Sequence, residues 1–342
     1  MKKTDSRGGS VEKEERAMSQ TVKEMPAGIR NLFTSITHYK EGERILIITD
    51  DNKLEIGRLV YRYAKEVARD VAMAVMEPRK GHGSEPPQAV AQAMLACDIC
   101  LGATTMSLYH SQARNIACKE RGMRWVGLQD FVPEMFERGG MTADFDEIHR
   151  EIDRVAHLYE GKRFRLTAPG GTDMTCSVEG RKVVVDYGTA ITPGAACGTP
   201  NAEIALGPVE GTAEGVLVID GSIPHPLLNV IEEPITCRVE KGYITEITGG
   251  RQAEILRRIL EEYHDPTVYN VAELGLGMNP LNEIIGHMAP DEGSYGNIHV
   301  GIGKNTGFGG HVTSPLHLDM VVKTITAEID GRYFMKDGVL MV

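Results

Sequence analysis

Apolar and polar positions change period along the chain, and the change divides it in two. From Glu43 to about Gly127, short apolar runs alternate with stretches of helical spacing. Arg44-Ile-Leu-Ile-Ile-Thr49 ends in Asp50-Asp51-Asn52, which predicts a buried strand closed by a turn. Leu54 to Asp70 carries apolar residues at Leu54, Leu59, Tyr63 and Val67, the spacing of an amphipathic helix. Val71–Met76 predicts a second strand, Pro86–Cys97 a helix with proline in its first turn, and Ile99–Ala103 a third strand. Ser111–Arg121 predicts a helix and Arg124–Gly127 a fourth strand. Strand and helix in alternation imply βαβ units around a parallel sheet of the doubly wound type.

Asp144 to Glu160 predicts a charged helix that connects to a different texture. Beyond Gly161 glycine recurs every few residues, between the short runs Phe164–Thr167, Lys182–Asp186, Gly215–Asp220, Ile235–Val239 and Tyr243–Thr248. Gly250–His264 is the one clear helix there. The expected organisation is a disordered arm over residues 1–25, an α/β domain over 26–160 and a β-rich α+β domain over 161–342, the last carrying the functional site.

Composition narrows the class. The chain has 342 residues and a formal net charge of -11, a sign that disfavours nucleic acid as a partner. No apolar run reaches the ~18 residues that span a bilayer, and the first 25 residues lack the apolar core of a signal peptide. The six cysteines are scattered, the usage of a reducing compartment, and a cytoplasmic location is expected. Cys97-x-x-Cys100 has ligand spacing but no second pair to complete a zinc site. No glycine-rich phosphate loop follows any predicted strand, so no nucleotide site is expected.

The candidate chemistry lies in the C-terminal half. In Pro315-Leu-His-Leu-Asp-Met-Val-Val322 the only ionisable residues, His317 and Asp319, are two apart, and a strand would point both to one face. A shared metal ion or a mutual salt bridge would relieve the cost of burying them. His299 lies in the alternating run Tyr295–Gly303. Glu273 lies in Val271-Ala-Glu-Leu-Gly-Leu-Gly277, and Glu203 opens the apolar run after Pro200-Asn-Ala. Glu203, Glu273 and His299 have no basic residue within three positions to pair with. Carboxylates and imidazoles of this kind suit zinc, manganese or iron, and five of them can hold two ions bridged by a carboxylate.

These segments resemble the aminopeptidase T/S-like metallopeptidases, from about Gly170 to the C-terminus. Pro200-Asn-Ala-Glu203 fits that family's P-x-x-E stretch, Glu273 its next ligand, and His317-x-Asp319 its final H-x-D. Asp291-Glu-Gly-Ser-Tyr-Gly-Asn-Ile-His299 is similar to its D-E-N-A-S-x-H motif with two extra residues. The family's tyrosine seven residues beyond the motif histidine is Thr306 here, with Lys304 or Asn305 as substitutes. The same fold resembles the mononuclear iron 2,5-dihydroxypyridine dioxygenases, which share Tyr295-Gly-Asn297, Pro200-Asn201 and the texture of Gly303–Gly310. In that branch the position of Glu273 is a histidine and the one near His299 is apolar, so the ligand types side with the peptidases.

The resemblance therefore implies an aminopeptidase-type metallohydrolase acting on an amide bond of a peptide or small molecule. It would bind one or two divalent ions (zinc, manganese or cobalt) through Glu203, Glu273, His299, His317 and Asp319. Glu292, or whichever of Glu203 and Glu273 is not a tight ligand, would move the proton, and His110, after the third strand, would contact substrate. The alternative is an Fe(II) dioxygenase that opens a hydroxylated N-heterocycle, with iron on Glu273, His317 and Asp319. A homo-oligomer, with no membrane partner, is expected in either case.

Overall fold

The computed structural model describes residues 25–341. The arm expected over residues 1–25 therefore lies, but for Met25, outside the described residues. The chain divides into two compact units, residues 25–142 with 189–199, and residues 143–188 with 200–341. The helix expected as a connector belongs wholly to the second unit, and a short excursion at 189–199 returns to the first.

In the first unit a short helix α1 (Ala27–Asn31) precedes β1 (Ile45–Asp50), α2 (Leu54–Val67), β2 (Val71–Met76), α3 (Gln88–Met94), β3 (Ile99–Ala103), α4 (Gln112–Arg121) and β4 (Arg124–Gly127). Each matches the apolar period to within a few residues at its ends. α2 stops at Val67 because Ala68 turns extended to enter β2. α4 starts at Ser111, whose hydroxyl accepts the Arg114 N–H, and stops at the left-handed Gly122. The chain then leaves to form α5 (Phe145–Val155), β5 (Arg163–Thr167), β6 (Asp173–Ser177) and β7 (Val184–Asp186) before returning as β8 (Ala196–Cys197). The resulting sheet, β2-β1-β3-β4-β8, is parallel throughout.

Open parallel sheets place ligands at the carboxyl ends of their strands where the order reverses. Here that point, between β1 and β3, is filled by Asp50. Its carboxylate accepts the Thr105 N–H at 2.6 Å and the Thr105 hydroxyl at 2.9 Å, and also takes the amides of Asn52 and Lys53. Cys97 and Cys100 are buried thiols in the core beneath, with burial pushing Cys100 well up.

The second unit is antiparallel. After β9 (Glu203–Leu206) come β10 (Glu214–Ile219), the short pair β11 (Ser222–Ile223) and β12 (Asn229–Val230), β13 (Ile235–Glu240), β14 (Tyr243–Thr248) and α6 (Arg251–Glu261). They are followed by β15 (Val271–Gly277), α7 (Met288–Glu292), β16 (Ile298–Gly303), β17 (His317–Val322), β18 (Thr326–Ile329), β19 (Arg332–Lys336) and β20 (Val339–Leu340). An eight-stranded sheet runs β14-β13-β10-β6-β5-β18-β19-β20 and a five-stranded sheet runs β17-β16-β15-β9-β7. The mixed architecture, a parallel sheet plus antiparallel sheets, agrees with the expected fold class. Among the described residues no helix is long and apolar enough to cross a membrane.

In the first unit the six-membered ring of Trp125 lies where a Cβ on Gly102 would fall, at 2.3 Å. Gly102→Ala must displace that ring, and an overpacked core costs about 1–3 kcal/mol. Equilibrium urea unfolding should show the loss.

Candidate metal centre

Period-2 alternation builds the site. On β15 and β16, Ala272, Leu274, Leu276, Ile298, Val300 and Ile302 are buried on one face. The opposite face carries Glu273, Gly275 and Gly277, then His299, Gly301 and Gly303. β17 brings His317 and Asp319 to that face and β9 brings Glu203. The register puts Glu273 opposite Gly301 and Gly301 opposite Asp319, with Gly275 opposite His299 and Gly277 opposite Glu203. A bulge between Val271 and Glu273 adds Ala272 at the ligand-bearing turn of β15.

The glycines are what let the side chains meet. A Cβ on Gly275 would sit 2.0 Å from His299 Nε2. One on Gly301 would lie 2.8 Å from Glu273 Cβ and 2.9 Å from Asp319 Oδ1. Only a floor without side chains admits the converging groups.

Glu273 stands at the centre. His299 Nε2 is 3.3 Å from its Oε1 and 3.4 Å from Glu203 Oε2. His317 Nε2 is 3.0 Å from its Oε2 and 3.3 Å from Asp319 Oδ1. The donor atoms thus form two sets sharing Glu273, one of Glu203, Glu273 and His299, the other of Glu273, His317 and Asp319, each within 4.8 Å. Both imidazoles are held from behind. Glu292 C=O lies 3.2 Å from His299 Nδ1, and Lys304 C=O lies 2.8 Å from His317 Nδ1. With Nδ1–H donating to a carbonyl, each Nε2 is turned inward, as for metal-bound histidine.

Those residues fit a cation. Glu203 Oε2, Asp319 Oδ1 and Glu292 Oε1 are buried with no hydrogen-bond partner. The 3.0–3.4 Å spacings match the edge of a coordination sphere, since two ligands ~2.1 Å from an ion at a right angle are about 3.0 Å apart. The electrostatics show the same need for positive charge. Burial would lower the pKa of His299, but the carboxylates of Glu203 and Glu273 raise it well above its ordinary value. For His317, burial is likewise overridden by Asp319 and Glu273. Glu203 is pushed up to about 8, chiefly by burial. Asp319 is held at about 2 because His317 outweighs the effect of burial.

Glu292 also reaches the cluster. Burial, then the charge of Asp319, raises its pKa well above the carboxylate range. Its neighbour Asp291 anchors the turn, accepting the amides of Ile285 and Gly286 and the Ser222 hydroxyl at 2.5 Å.

The loop from Lys304 to Ser314 supports His317. Phe308 stacks on the His317 ring at 5.8 Å. Asn305 is wholly buried, donates to Glu210 and accepts the Val312 N–H, so it is a loop anchor; Thr306 is exposed. Glu210 is itself paired with Arg181, which also holds the Gly309 carbonyl. His110 lies in the first unit, in the loop before α4, edge-on to Tyr109.

Sequence reasoning passed over Asn201, Phe308 and the Arg181–Glu210 pair. The Asn201 amide acts on Glu203 and lowers its pKa against the larger effect of burial. Its place within Pro200-Asn-Ala-Glu203 was the available signal. Nothing local marks Glu210, far from His317 in sequence.

Comparison with known proteins settles the family that the ligand types left open. The family model described as NicX, 2,5-dihydroxypyridine 5,6-dioxygenase, matches residues 37–342. The 2,5-dihydroxypyridine 5,6-dioxygenase of Pseudomonas putida KT2440 is 30% identical over 260 residues, 73% of this chain and 73% of that protein. The solved structure of the 2,5-dihydroxypyridine dioxygenase from Pseudomonas putida KT2440 superposes with a TM-score of 0.77 at 23% identity, covering 95% of this chain and 98% of that one. Wild-type AmpT from Thermus thermophilus superposes with a TM-score of 0.65 at 14% identity, covering 95% and 100%. The chain thus shares the aminopeptidase-like fold of AmpT. The expectation of an aminopeptidase-type metallohydrolase is overturned by the family match and the Pseudomonas relative, both dioxygenases. One sheet face carrying Glu, His and Asp donors serves either chemistry, so donor types alone misjudged the reaction.

The raised histidines and Glu203 hold protons that the unfolded chain releases, so the metal-free protein loses stability as pH rises from ~4.5 through about 8 and beyond. Without metal, the Tm should fall by several degrees between pH 6 and 9. Divalent ion should flatten that slope, and its uptake at pH 7 should release protons measurable by calorimetry in buffers of different ionisation enthalpy. Glu210→Gln should weaken metal affinity about tenfold by loosening the Lys304–Ser314 loop, and should also lower the metal-free Tm because it leaves the nearly buried Arg181 guanidinium without its carboxylate.

Proposed function

The chain belongs to the 2,5-dihydroxypyridine 5,6-dioxygenase family, and we propose that it is a non-haem Fe(II) dioxygenase that opens the ring of a small hydroxylated N-heterocycle of the dihydroxypyridine type. The observation that carries this reading is the unequal exposure of the two histidines. The His299 side chain is 2% exposed and that of Glu273 3%, whereas the His317 side chain is 31% exposed. His317 is therefore the donor most open to a substrate, and the Glu273–His317–Asp319 set would give iron one imidazole and two carboxylates, one histidine fewer than the common two-His-one-carboxylate site. Glu273, His317 and Asp319 would hold the iron, which would supply the oxygen-activating chemistry that opening a hydroxylated ring requires.

The chain's own groups set the rest. Lys304 C=O fixes the His317 tautomer and Phe308 limits its tilt. His299, closed off behind Glu273, orients that carboxylate through Oε1 and leaves Oε2 to face His317. Glu292 stores a proton at Asp319 and passes it to the opening ring, while Glu203, the other carboxyl of high pKa, keeps net charge low in the closed half.

The test is oxygen uptake by protein loaded with Fe(II) without air, then offered 2,5-dihydroxypyridine and its hydroxypyridine isomers. One iron per chain and one O2 consumed per ring opened are expected. Iron-loaded protein that takes up no oxygen with any of them would sink the reading. His317→Ala should abolish iron binding. Glu292→Gln should keep the iron and slow turnover by about 10²–10⁴-fold.

A further inference from the structure

The first unit's sheet ends in an unusual edge. β2 is Val71-Ala-Met-Ala-Val-Met76, six residues without a charge, a proline or a bulge, and it is the outermost strand of β2-β1-β3-β4-β8. Among the described residues no strand pairs with its outer side. Edges of this kind are templates for pairing, and proteins that stay monomeric blunt them with lysine, proline or a bulge.

The phase of the outer edge follows from one hydrogen bond. Ile45 N–H donates to the Asp70 carbonyl. In a parallel ladder the even-numbered residues of β2 then bond β1, and Val71, Met73 and Val75 turn their N–H and C=O outward. Val75 is 46% exposed although β-branched and apolar. Antiparallel self-pairing places residues of the same phase opposite one another, so the two-fold axis must pass through a residue and not between two. An axis at Ala74 would set Arg69 against Arg79. An axis at Met73 sets Val71 against Val75 and each exposed Arg69 against the other copy's exposed Glu77.

We propose that a second copy of this chain docks on β2, antiparallel and centred on Met73, to join two five-stranded sheets into one. The occupant is self-complementary: apolar against apolar along the strand, and opposite charges at both ends. This does not depend on the reaction the metal centre performs.

The experiment is sedimentation and light scattering on the full-length metal-loaded protein, with three variants. A dimeric or larger assembly is expected, and Val75→Lys should weaken association at least about tenfold while leaving the Tm and metal content unchanged. Met73→Cys should form a covalent dimer on mild oxidation, since directly opposed residues in such a pair have Cα atoms ~5.5 Å apart. Ala72→Cys, opposite Ala74 in this register, should not. A monomer at all concentrations overturns the proposal. An assembly that survives Val75→Lys and gives no Met73→Cys cross-link overturns it as well.

Discussion

Everything in the second unit answers one electrostatic constraint. Glu203, Glu273, Glu292 and Asp319 are brought together on the closed face of a buried sheet, with only two imidazoles among them. Like charges this close repel strongly in a medium that screens poorly, and the free chain resolves the conflict with protons. The histidines are driven toward the imidazolium form, while Glu203 and Glu292 are driven toward the neutral acid. A divalent cation would do the same work with two positive charges at a single point.

The rest of the unit keeps that conflict from being relaxed by movement. Gly275 and Gly301 bring the strands' own backbone close beneath the donors, which no residue with a Cβ would allow. The carbonyls of Glu292 and Lys304 prevent the imidazoles from turning their Nε2 atoms away. Arg181 and Glu210 tie down the loop that carries Lys304 and Phe308. Tyr159, fully buried, donates to the Leu274 carbonyl at 3.1 Å and braces β15 beside Glu273. Rigidity of this sort lets a site bind an ion in one geometry and keep a face open.

The relation to AmpT on one side and to 2,5-dihydroxypyridine dioxygenases on the other shows how little of the chemistry the scaffold dictates. A sheet face floored by glycine can present carboxylates and imidazoles to an ion for either purpose.

Much of this was legible in the chain. The period of the apolar residues located nearly every element of the first unit, because a buried parallel strand and an amphipathic helix each impose a pattern within a dozen residues. Isolated charges within apolar runs marked Glu203, Glu273, His299, His317 and Asp319, because burying a charge is costly enough to demand a reason. The sharing of Glu273 between two donor sets, the bulge beside it and the role of Glu210 were decided only by tertiary structure. Each depends on strand register and on loop contacts between residues far apart in sequence, which no local pattern encodes. The excursion of residues 189–199 into the first unit belongs to the same class, since only pairing of β8 with β4 defines it. Residue types determined that an ion could be held; the three-dimensional arrangement decided which of them reach solvent.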